Sequence, residues 1–462
     1  MGAGKSTVGE QVARRLGRPF VDLDRELESE TGSTVPELFE TRGEPLFREL
    51  EEELAVEMLA EAVPSVVSLG GGAVTSERVR GSLADSALAV WLQVDVEAAW
   101  KRVSRSGRPL AQDEGEFRRL YAEREELYRG VADALAGDAD DVVLAAGGVH
   151  LETGALARLG ALVPGDGLVA LISDPRVAGI HGADAQLALG DRLASRHELP
   201  HGEAAKTTSA CEALWEELRL DRSGTIAALG GGCTTDAAGF TAATYLRGVP
   251  WVPVPTTLVG QVDAAIGGKT ALNLSGGKNL VGAFHWPVRT VIDPALLATL
   301  PADERHGGLA EVVKTGLLAG EPLWELPETE LVRRCAAFKV AVCLRDPHDR
   351  GERAVLNLGH TFAHALEAAA SFHEVAHGEA VALGLLAALR LSGLDTAPVE
   401  DTLSPKPVRV DPDRAWEAMR RDKKAACGRI RLVLLDAPGR PRWPAEVPEP
   451  DVRRALEGII AA

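Results

Sequence analysis

The sequence predicts an α/β protein in three parts: two parallel-sheet units in succession, then a mainly helical unit. Three observations predict it. From Met1 to about Ala146 short apolar runs alternate with helical patterns, and a second alternation follows the glycine pair Gly147–Gly148. Beyond Leu300 strand signals thin out while helix-length amphipathic segments continue. At 462 residues the chain exceeds one ordinary core, and domain-size scaling suggests roughly three compact units.

In the first part VGEQVARRLG and EFRRLYAEREELYRGVADAL read as helices, and PFVDLD, SVVSLGGG, LAVWLQV and DVVLAA as strands. The stretch from Gly147 through ARLGALVPGDG has turn signals without strong periodicity and reads as a linker or domain entry. In the second part GLVALISD, TIAALGGG, VPWVPVPTT and RTVIDP are strand-like, while KTTSACEALWEEL and the segment after Asp236 are helical. HGGLAEVVKTGLL, FKVAVCL, HTFAHALEAAA and GEAVALGLLAALRL then read as the helices of the third part.

Composition excludes several functions. The net charge of −18, from 50 Lys and Arg against 68 Asp and Glu, repels polyanions, so neither nucleic acid nor an anionic membrane is expected as partner. Any phosphate site must be local. The five cysteines are scattered and never spaced C-x-x-C, which argues against a disulfide framework or a thiolate zinc site and fits a reducing cytoplasm. There is no run of about 18 apolar residues, so no membrane span is expected, and no signal peptide is apparent.

MGAGKST supplies Gly4, Lys5 and Ser6 at the last places of the phosphate loop G-x-x-x-x-G-K-[ST], with Gly2 and Thr7 beside them; the first Gly of that pattern would precede Met1. Backbone N–H groups at such a helix start cradle phosphate, the Lys adds a point charge, and the Ser hydroxyl ligates Mg²⁺. DAAIGGKTALN also contains G-G-K-T, but Asp263 stands where a second phosphate loop needs its first Gly. Gly230–Gly232 with Asp236 is not G-x-G-x-x-G and alone points no further than a turn. The words YLRG, GGKTALN, GGKNLVGAFHWP, RAVLNLGHTFAHALE and DKKAACG concentrate Lys, Arg and Asn in loops of an acidic protein, which suggests a compact anionic substrate.

Two metal readings compete. HEVAH, His373 to His377, matches the protease pattern H-E-x-x-H, while His360 and His364 form another pair at i and i+4 and LAEVVK offers Glu311. A catalytic zinc site takes three protein ligands and keeps one position open, so these residues cannot all be ligands. His373 then reads as a helix-end or surface histidine.

Over about the first 147 residues the ordered set GxGKST, FVDLD, GEPLFRELE, SLGGGA, GRPL and YAEREELY resembles shikimate kinase. The resemblance implies a P-loop kinase sheet binding ATP with Mg²⁺, the metal placed by Ser6 and Asp22. It implies shikimate held by Asp24, Arg48, Gly70, Gly71, Gly72 and Arg124, with Arg108 as the lid arginine and Arg105 near adenine. Asp24 would orient the attacking hydroxyl and the arginines would take the carboxylate. The segment from Arg105 to Arg124 is several residues shorter than the family's usual lid.

From about Gly148 onward, GEAAK, GGGCTTDAAGF, VPTTL, the GGK and KN words, LAEVVKTG, LNLGHTFAH, HGEAVALG and RRDKKAACG resemble 3-dehydroquinate synthase. The resemblance implies a Rossmann-like NAD-binding domain over 148–300 and a helical metal and substrate domain over 301–462. Zn²⁺, or Co²⁺, would sit on Glu311, His360 and His377, and His364 would be catalytic or contact phosphate. NAD would contact Asp174, Glu203, Lys206, Gly231, Gly232, Asp236, Thr256 and Thr257. Substrate would meet Asp263, Lys269, Lys278, Asn279, Lys314, Lys339, Arg353, Asn357 and Lys423, with Arg247 reaching the phosphate from a second subunit of a homodimer. Ala264 and Ala265 stand where hydroxylated residues are common, and Pro347 interrupts an acidic D-E word. The implied chemistry oxidises C5, eliminates phosphate, reduces the carbonyl again and closes the ring by aldol addition, regenerating NAD⁺.

The reading is a cytoplasmic fusion of two shikimate-pathway enzymes acting on small molecules. One converts 3-deoxy-D-arabino-heptulosonate 7-phosphate to 3-dehydroquinate and phosphate; the other phosphorylates shikimate at its 3-position. A synthase with an inactive kinase module and an H-E-x-x-H metalloprotease are the alternatives. The missing first Gly and the strand before it lead to one more expectation, a start taken about ten residues late or an impaired kinase.

Overall fold

The computed structural model describes residues 2–104, 113–370, 375–421 and 430–461, and divides into two compact units, Met1–Ala146 and Gly147–Ala462. Length alone suggested about three. The second unit is large because its sheet and its helical part share contacts throughout, as between Lys314 and Asp263.

In the first unit two parallel strand pairs carry the helices. Helix α1 (Lys5–Leu16) precedes β1 (Phe20–Asp22), which pairs with β2 (Val66–Ser68) in the register Phe20 to Val66 and Asp22 to Ser68. Helix α2 (Leu23–Thr31) starts inside the run read as PFVDLD, because the Asp22 carboxylate caps it at Arg25 N, 3.4 Å. Helix α3 (Val35–Ala60) opens on a capping box of Thr34 and Glu37 and kinks at Gly43. Helix α4 (Glu77–Ser86) leads to β3 (Val90–Leu92), and α5 (Val96–Val103) and α6 (Glu114–Val131) to β4 (Ala134–Ala136), which pairs with β3 in parallel.

Two sequence expectations are corrected here. The helix read through VADAL stops at Val131, since Asp133 N donates to Ala89 O at 2.8 Å and its carboxylate accepts from Ala89 N at 2.8 Å. DVVLAA is not a strand but lies in α7 (Ala139–Ala146): Asp138 accepts from Asp140 N and Asp141 N at its start, and Ala139, Asp140, Val143 and Leu144 are buried at helical spacing.

The second unit begins with β5 (Val149–Leu151) and the short α8 (Leu159–Leu162). This is not linker. Leu156, Leu159, Leu162 and Val163 are core, and the buried Asp293 carboxylate accepts from Gly154 N (2.9 Å) and Leu156 N (3.0 Å). Then follow β6 (Val169–Ser173), α9 (Pro175–Leu189), β7 (Leu193–Glu198), α10 (Thr208–Glu217), β8 (Thr225–Gly230), α11 (Gly232–Thr244) and β9 (Trp251–Pro255). The sheet is parallel in the order β7-β6-β8-β9, and β6, β8 and β9 are buried at every residue, which explains their continuous apolar runs. A hairpin of β10 (Lys269–Leu274) and β11 (Gly277–Phe284) projects from it, and β12 (Thr290–Ile292) pairs with β5.

Helices α12 (Ala302–Ala319), α13 (Glu328–Arg345), α14 (His360–Ala369), α15 (His377–Ser392), α16 (Ala397–Leu403), α17 (Pro412–Arg421) and α18 (Glu449–Glu457) enclose the second core. This part is not wholly helical. RLVLLDA and RPRWPAE form the antiparallel pair β13 (Arg431–Ala437) and β14 (Arg440–Glu446), with Leu432 to Leu435 buried in the helical core.

Helices α14 and α15 meet backbone to backbone, since a Cβ on Gly384 would lie 2.2 Å from Gly359 O. Gly384→Ala is therefore expected to lower stability by about 1–3 kcal/mol through overpacking, read as a lower calorimetric melting temperature. An unchanged melting temperature would show that the crossing yields freely. No helix among the described residues is long and apolar enough to cross a membrane.

Candidate active sites

In the first unit α1 starts directly at Lys5, Ser6 and Thr7, with Gly4 as N-cap at φ 81° and no side-chain cap bond. A helix start of this kind, uncapped by a side chain, favours an anion, and Gly2 precedes it with φ 64°. Ser6 Oγ donates to Asp22 Oδ2 at 2.6 Å, so the chain brings together a hydroxyl and a buried carboxylate that fit Mg²⁺.

About 50 residues on, the turn Gly70–Gly72 packs against charged side chains. A Cβ on Gly70 would lie 2.1 Å from Glu51 Oε1 and 3.4 Å from Asp24 Oδ1, and one on Gly72 would lie 2.1 Å from Arg48 Nη1. Only glycine leaves room there. Arg48 donates to Glu51 Oε2 (2.5 Å) and Glu44 Oε1 (3.1 Å), and its guanidinium lies 5.1 Å from the Phe47 ring centroid. Arg124 is buried on α6, and one turn later Tyr128 donates its hydroxyl to Gly71 O at 2.6 Å.

Glu51 and Tyr128 were missed as site residues. Both were legible as helical neighbours, Glu51 three residues after Arg48 and Tyr128 four after Arg124. Burial pushes the Glu51 carboxyl up, against the pull of Arg48. Arg108 and Arg105 fall in residues 105–112, outside the described residues.

In the second unit the expected cofactor residues gather at the carboxyl ends of the parallel strands: Asp174 after β6, Gly231 and Gly232 after β8, Thr256 and Thr257 after β9. That is where open α/β sheets bind ligands. Gly231 is the N-cap of α11 and supplies no side-chain acceptor, leaving N–H groups for a phosphate. Asp174 is buried and caps α9, accepting from Arg176 N (3.0 Å) and Val177 N (3.3 Å). Thr257 Oγ1 accepts from Gly260 N at 3.1 Å. Thr256, itself buried, donates its N–H to Gly230 O at 3.0 Å.

Beside them Lys206 donates to Asp236 Oδ2 (2.5 Å) and to Asn279, Asn273 donates to Glu203 (2.7 Å), and Lys278 pairs with Glu203 (3.0 Å). Burial raises the Asp236 carboxyl above its ordinary value against the attraction of Lys206.

Farther along, ligand atoms of Glu311, His360 and His377 all lie within 4.8 Å of one another. Glu311 Oε1 is 3.3 Å from His360 Nε2 and 3.4 Å from His377 Nε2. Two features fit a metal. Glu311 is buried with its Oε1 turned to both imidazoles and its Oε2 ion-paired with Lys314, so the carboxylate stays charged beside two histidines. His360 Nδ1 faces Leu358 O at 3.2 Å, so the proton belongs there and the Nε2 lone pair points at the cluster. Burial lowers His360 to about 4, keeping it neutral. At His377 burial opposes the charge, but Glu311 and Glu367 outweigh it and raise the ring to about 9.

Around this cluster Asp263, on the π-helical turn Gly260–Ala264, takes Lys314 at 2.7 Å and also Lys339, whose Nζ lies 2.5 Å from Asp263 O. Lys269 pairs with Asp349 at 2.6 Å. Arg353 is buried and donates to Pro347 O at 3.2 Å, so the interrupting proline serves as an acceptor that orients the guanidinium. Asn357 donates to Ala354 O at 3.0 Å, and the His364 ring lies 5.6 Å from that of His360. Arg247 stands exposed on a turn in which Leu246 and Arg247 both have positive φ, 50° and 66°. Lys423 and His373 lie outside the described residues.

The G-G-K-T of Gly267–Thr270 opens a strand rather than a helix, so it is no phosphate loop. Nor does HEVAH form a protease helix: Ala376 is extended at φ −68°, ψ 143°, and α15 begins only at His377. An H-E-x-x-H site needs both histidines on one continuous helical face.

Family models agree with this geometry. Residues 1–148 match shikimate kinase, 196–307 the N-terminal part of 3-dehydroquinate synthase, and 308–425 its C-terminal part. The 3-dehydroquinate synthase of Bordetella pertussis is 41% identical over 341 residues, covering 67% of this chain and 95% of that protein; that of Gloeobacter violaceus is 40% identical over 359 residues, covering 71% and 98%.

Among solved structures, 2-deoxy-scyllo-inosose synthase, complexed with carbaglucose-6-phosphate, NAD⁺ and Co²⁺, aligns with TM-score 0.61 at 25% identity over 68% of this chain and 96% of that one. The 2-epi-5-epi-valiolone synthase of Streptomyces hygroscopicus subsp. jinggangensis 5008, with NAD⁺ and Zn²⁺ bound, aligns with TM-score 0.60 at 25% identity over 67% and 96%. The chain belongs to the 3-dehydroquinate synthase family through its second unit and carries a shikimate kinase domain as its first, a bifunctional enzyme of the shikimate pathway.

Proposed function

We propose that each activity runs on the residues assembled above, and that the second site is a metal- and NAD-dependent one. The observation that carries this is the convergence of Glu311, His360 and His377, with the His360 tautomer fixed by Leu358 O. Zn²⁺ or Co²⁺ held there would supply Lewis-acid polarisation of a substrate hydroxyl, and NAD held at the strand ends a hydride acceptor. The solved synthases that bear NAD⁺ with Co²⁺ or Zn²⁺ support the same pair of cofactors.

This chain's own groups do the rest. Lys314 and Lys339 hold Asp263 toward the cluster, ready to accept a hydrogen bond from a substrate hydroxyl. Lys269, Lys278, Asn279, Arg353, Asn357 and Lys423 would supply the field for phosphate and carboxylate, and His364, one turn after His360, would be catalytic or contact phosphate. Such a site works by orientation and preorganised charge. Residues 148–300 would hold NAD and 301–462 the metal and substrate. A cytoplasmic homodimer through the second unit belongs to the proposal, with Arg247 crossing to the partner's site; its strained, exposed turn supports that placement.

In the first unit Asp24 would accept the proton of the attacking hydroxyl, Arg48 and Arg124 would take the carboxylate, Ser6 and Asp22 would hold Mg²⁺, and Gly2, Gly4, Lys5 and Thr7 would cradle the phosphates of ATP.

The test is to dialyse the protein, measure bound zinc, and assay dehydroquinate formation before and after adding it back. Activity that does not follow zinc would end the proposal.

A pH dependence also follows. Burial lowers the Lys339 ammonium to about 8, with Arg353 adding to the effect. Below that value Lys339 is charged and attracts the substrate anion; above it the charge is lost. The kcat/KM for the synthase is therefore expected to fall as pH rises through about 8, because that ratio reports free-enzyme groups. Lys339→Arg should remove this limb, and a limb that persists would assign it to another group.

A further inference from the structure

We infer that Glu367 is a positioning residue that aims His377 at the metal and tethers Lys278 beside it, joining the metal pocket to the anion-binding hairpin. The inference rests on the metal reading above. Glu367 lies on α14 at i+7 from His360 and i+3 from His364, so all three share one helix face. Its side chain is almost wholly buried, 3% exposed, on a helix whose only other ionisable residues are His360 and His364. A carboxylate in such a place persists only when its oxygens are engaged.

One oxygen, Oε1, is shared. It lies 3.4 Å from His377 Nδ1 and 3.2 Å from Lys278 Nζ, while Lys278 reaches on to Glu203 Oε1 at 3.0 Å. An acceptor at Nδ1 keeps a proton on that nitrogen, so that when a metal displaces the other proton it is Nε2, the atom facing Glu311, that offers the lone pair. His360 gets the same service from Leu358 O, so both imidazoles are oriented from behind, one by a carbonyl and one by a carboxylate. Because the same carboxylate holds Lys278, an ammonium on the β10–β11 hairpin, removing it should disturb metal retention and substrate binding together.

The experiment uses the full chain. Zinc affinity is measured by competition with a chromophoric chelator, and NAD⁺ binding is followed as a check on folding. E367Q is expected to lose about 10- to 100-fold in zinc affinity, the usual effect of removing an outer carboxylate. Its KM should rise at saturating zinc, and E367D should recover most of both losses. Wild-type zinc affinity in E367Q would overturn the inference, as would equal damage in E367D and E367Q, since packing rather than charge would then be the cause. If E367Q does not fold, the histidine ¹⁵N spectrum of the zinc-loaded wild-type protein decides: His377 should be protonated at Nδ1 and coordinated through Nε2, and the reverse would refute it. Failure of the underlying reading looks different, because His377→Ala would then retain zinc.

Discussion

His377→Ala is expected to strip the second unit of zinc and to lower dehydroquinate formation by about two to three orders of magnitude, the scale on which losing a transition-state charge stabiliser acts. Among the described residues Glu311, His360 and His377 are the three whose ligand atoms lie within 4.8 Å of one another, so removing one leaves two. His364 is not part of that group, although its ring stands 5.6 Å from that of His360. The fold should survive: His377 sits at the first position of α15, half-buried, and the helix keeps its core residues from Ala380 to Leu389. His373→Ala is the paired control and should leave zinc content and rate within about twofold, since three ligands already complete an open catalytic site. Metal analysis after dialysis and a rate assay decide both. Loss of zinc from the His373 variant, with casein cleavage by the wild-type protein, would restore the protease reading.

The second large effect is expected in the first unit. Asp24→Asn should lower shikimate phosphorylation by about 10²- to 10⁴-fold, the range for losing a general base, while dehydroquinate formation stays at its wild-type rate. Arg48→Ala should weaken shikimate binding as well, but it also strips the buried Glu51 of its cation, which threatens stability. Arg48→Lys is the better probe: the charge stays and the planar fork is lost, so KM should rise with the fold intact. ADP release and dehydroquinate formation are measured on the same preparation. An equal fall of both activities in a folded Asp24→Asn protein would contradict two separate sites in two compact units.

The two alternating α/β patterns, the domain break at the Gly147 pair and the helices after residue 300 were all visible as periodicity and punctuation. Errors came where a local hydrogen bond outranks an apolar run. DVVLAA looks like a strand by composition, yet Asp138 caps it into a helix, and Asp133 stops a helix that periodicity alone would extend. The stretch after Gly148 looked like linker because its partner strand, β12, lies about 140 residues away. At the sites, Glu311 and the histidines were recognisable as donor types, but Glu367 and Glu51 hid inside words already quoted. What distinguishes them is burial beside a cation or an imidazole, which depends on how the helices pack. The failure of HEVAH as a protease helix turns on the extended backbone of Ala376, which the pattern H-E-x-x-H does not encode.

The most direct test of two independent active sites on one chain is a single titration. One purified sample is held in excess Mg²⁺ and treated with a zinc-selective chelator while both products are followed. Dehydroquinate formation should fall to background and return on adding zinc, with shikimate phosphorylation constant throughout. Loss of both activities together, or of neither, would contradict the account.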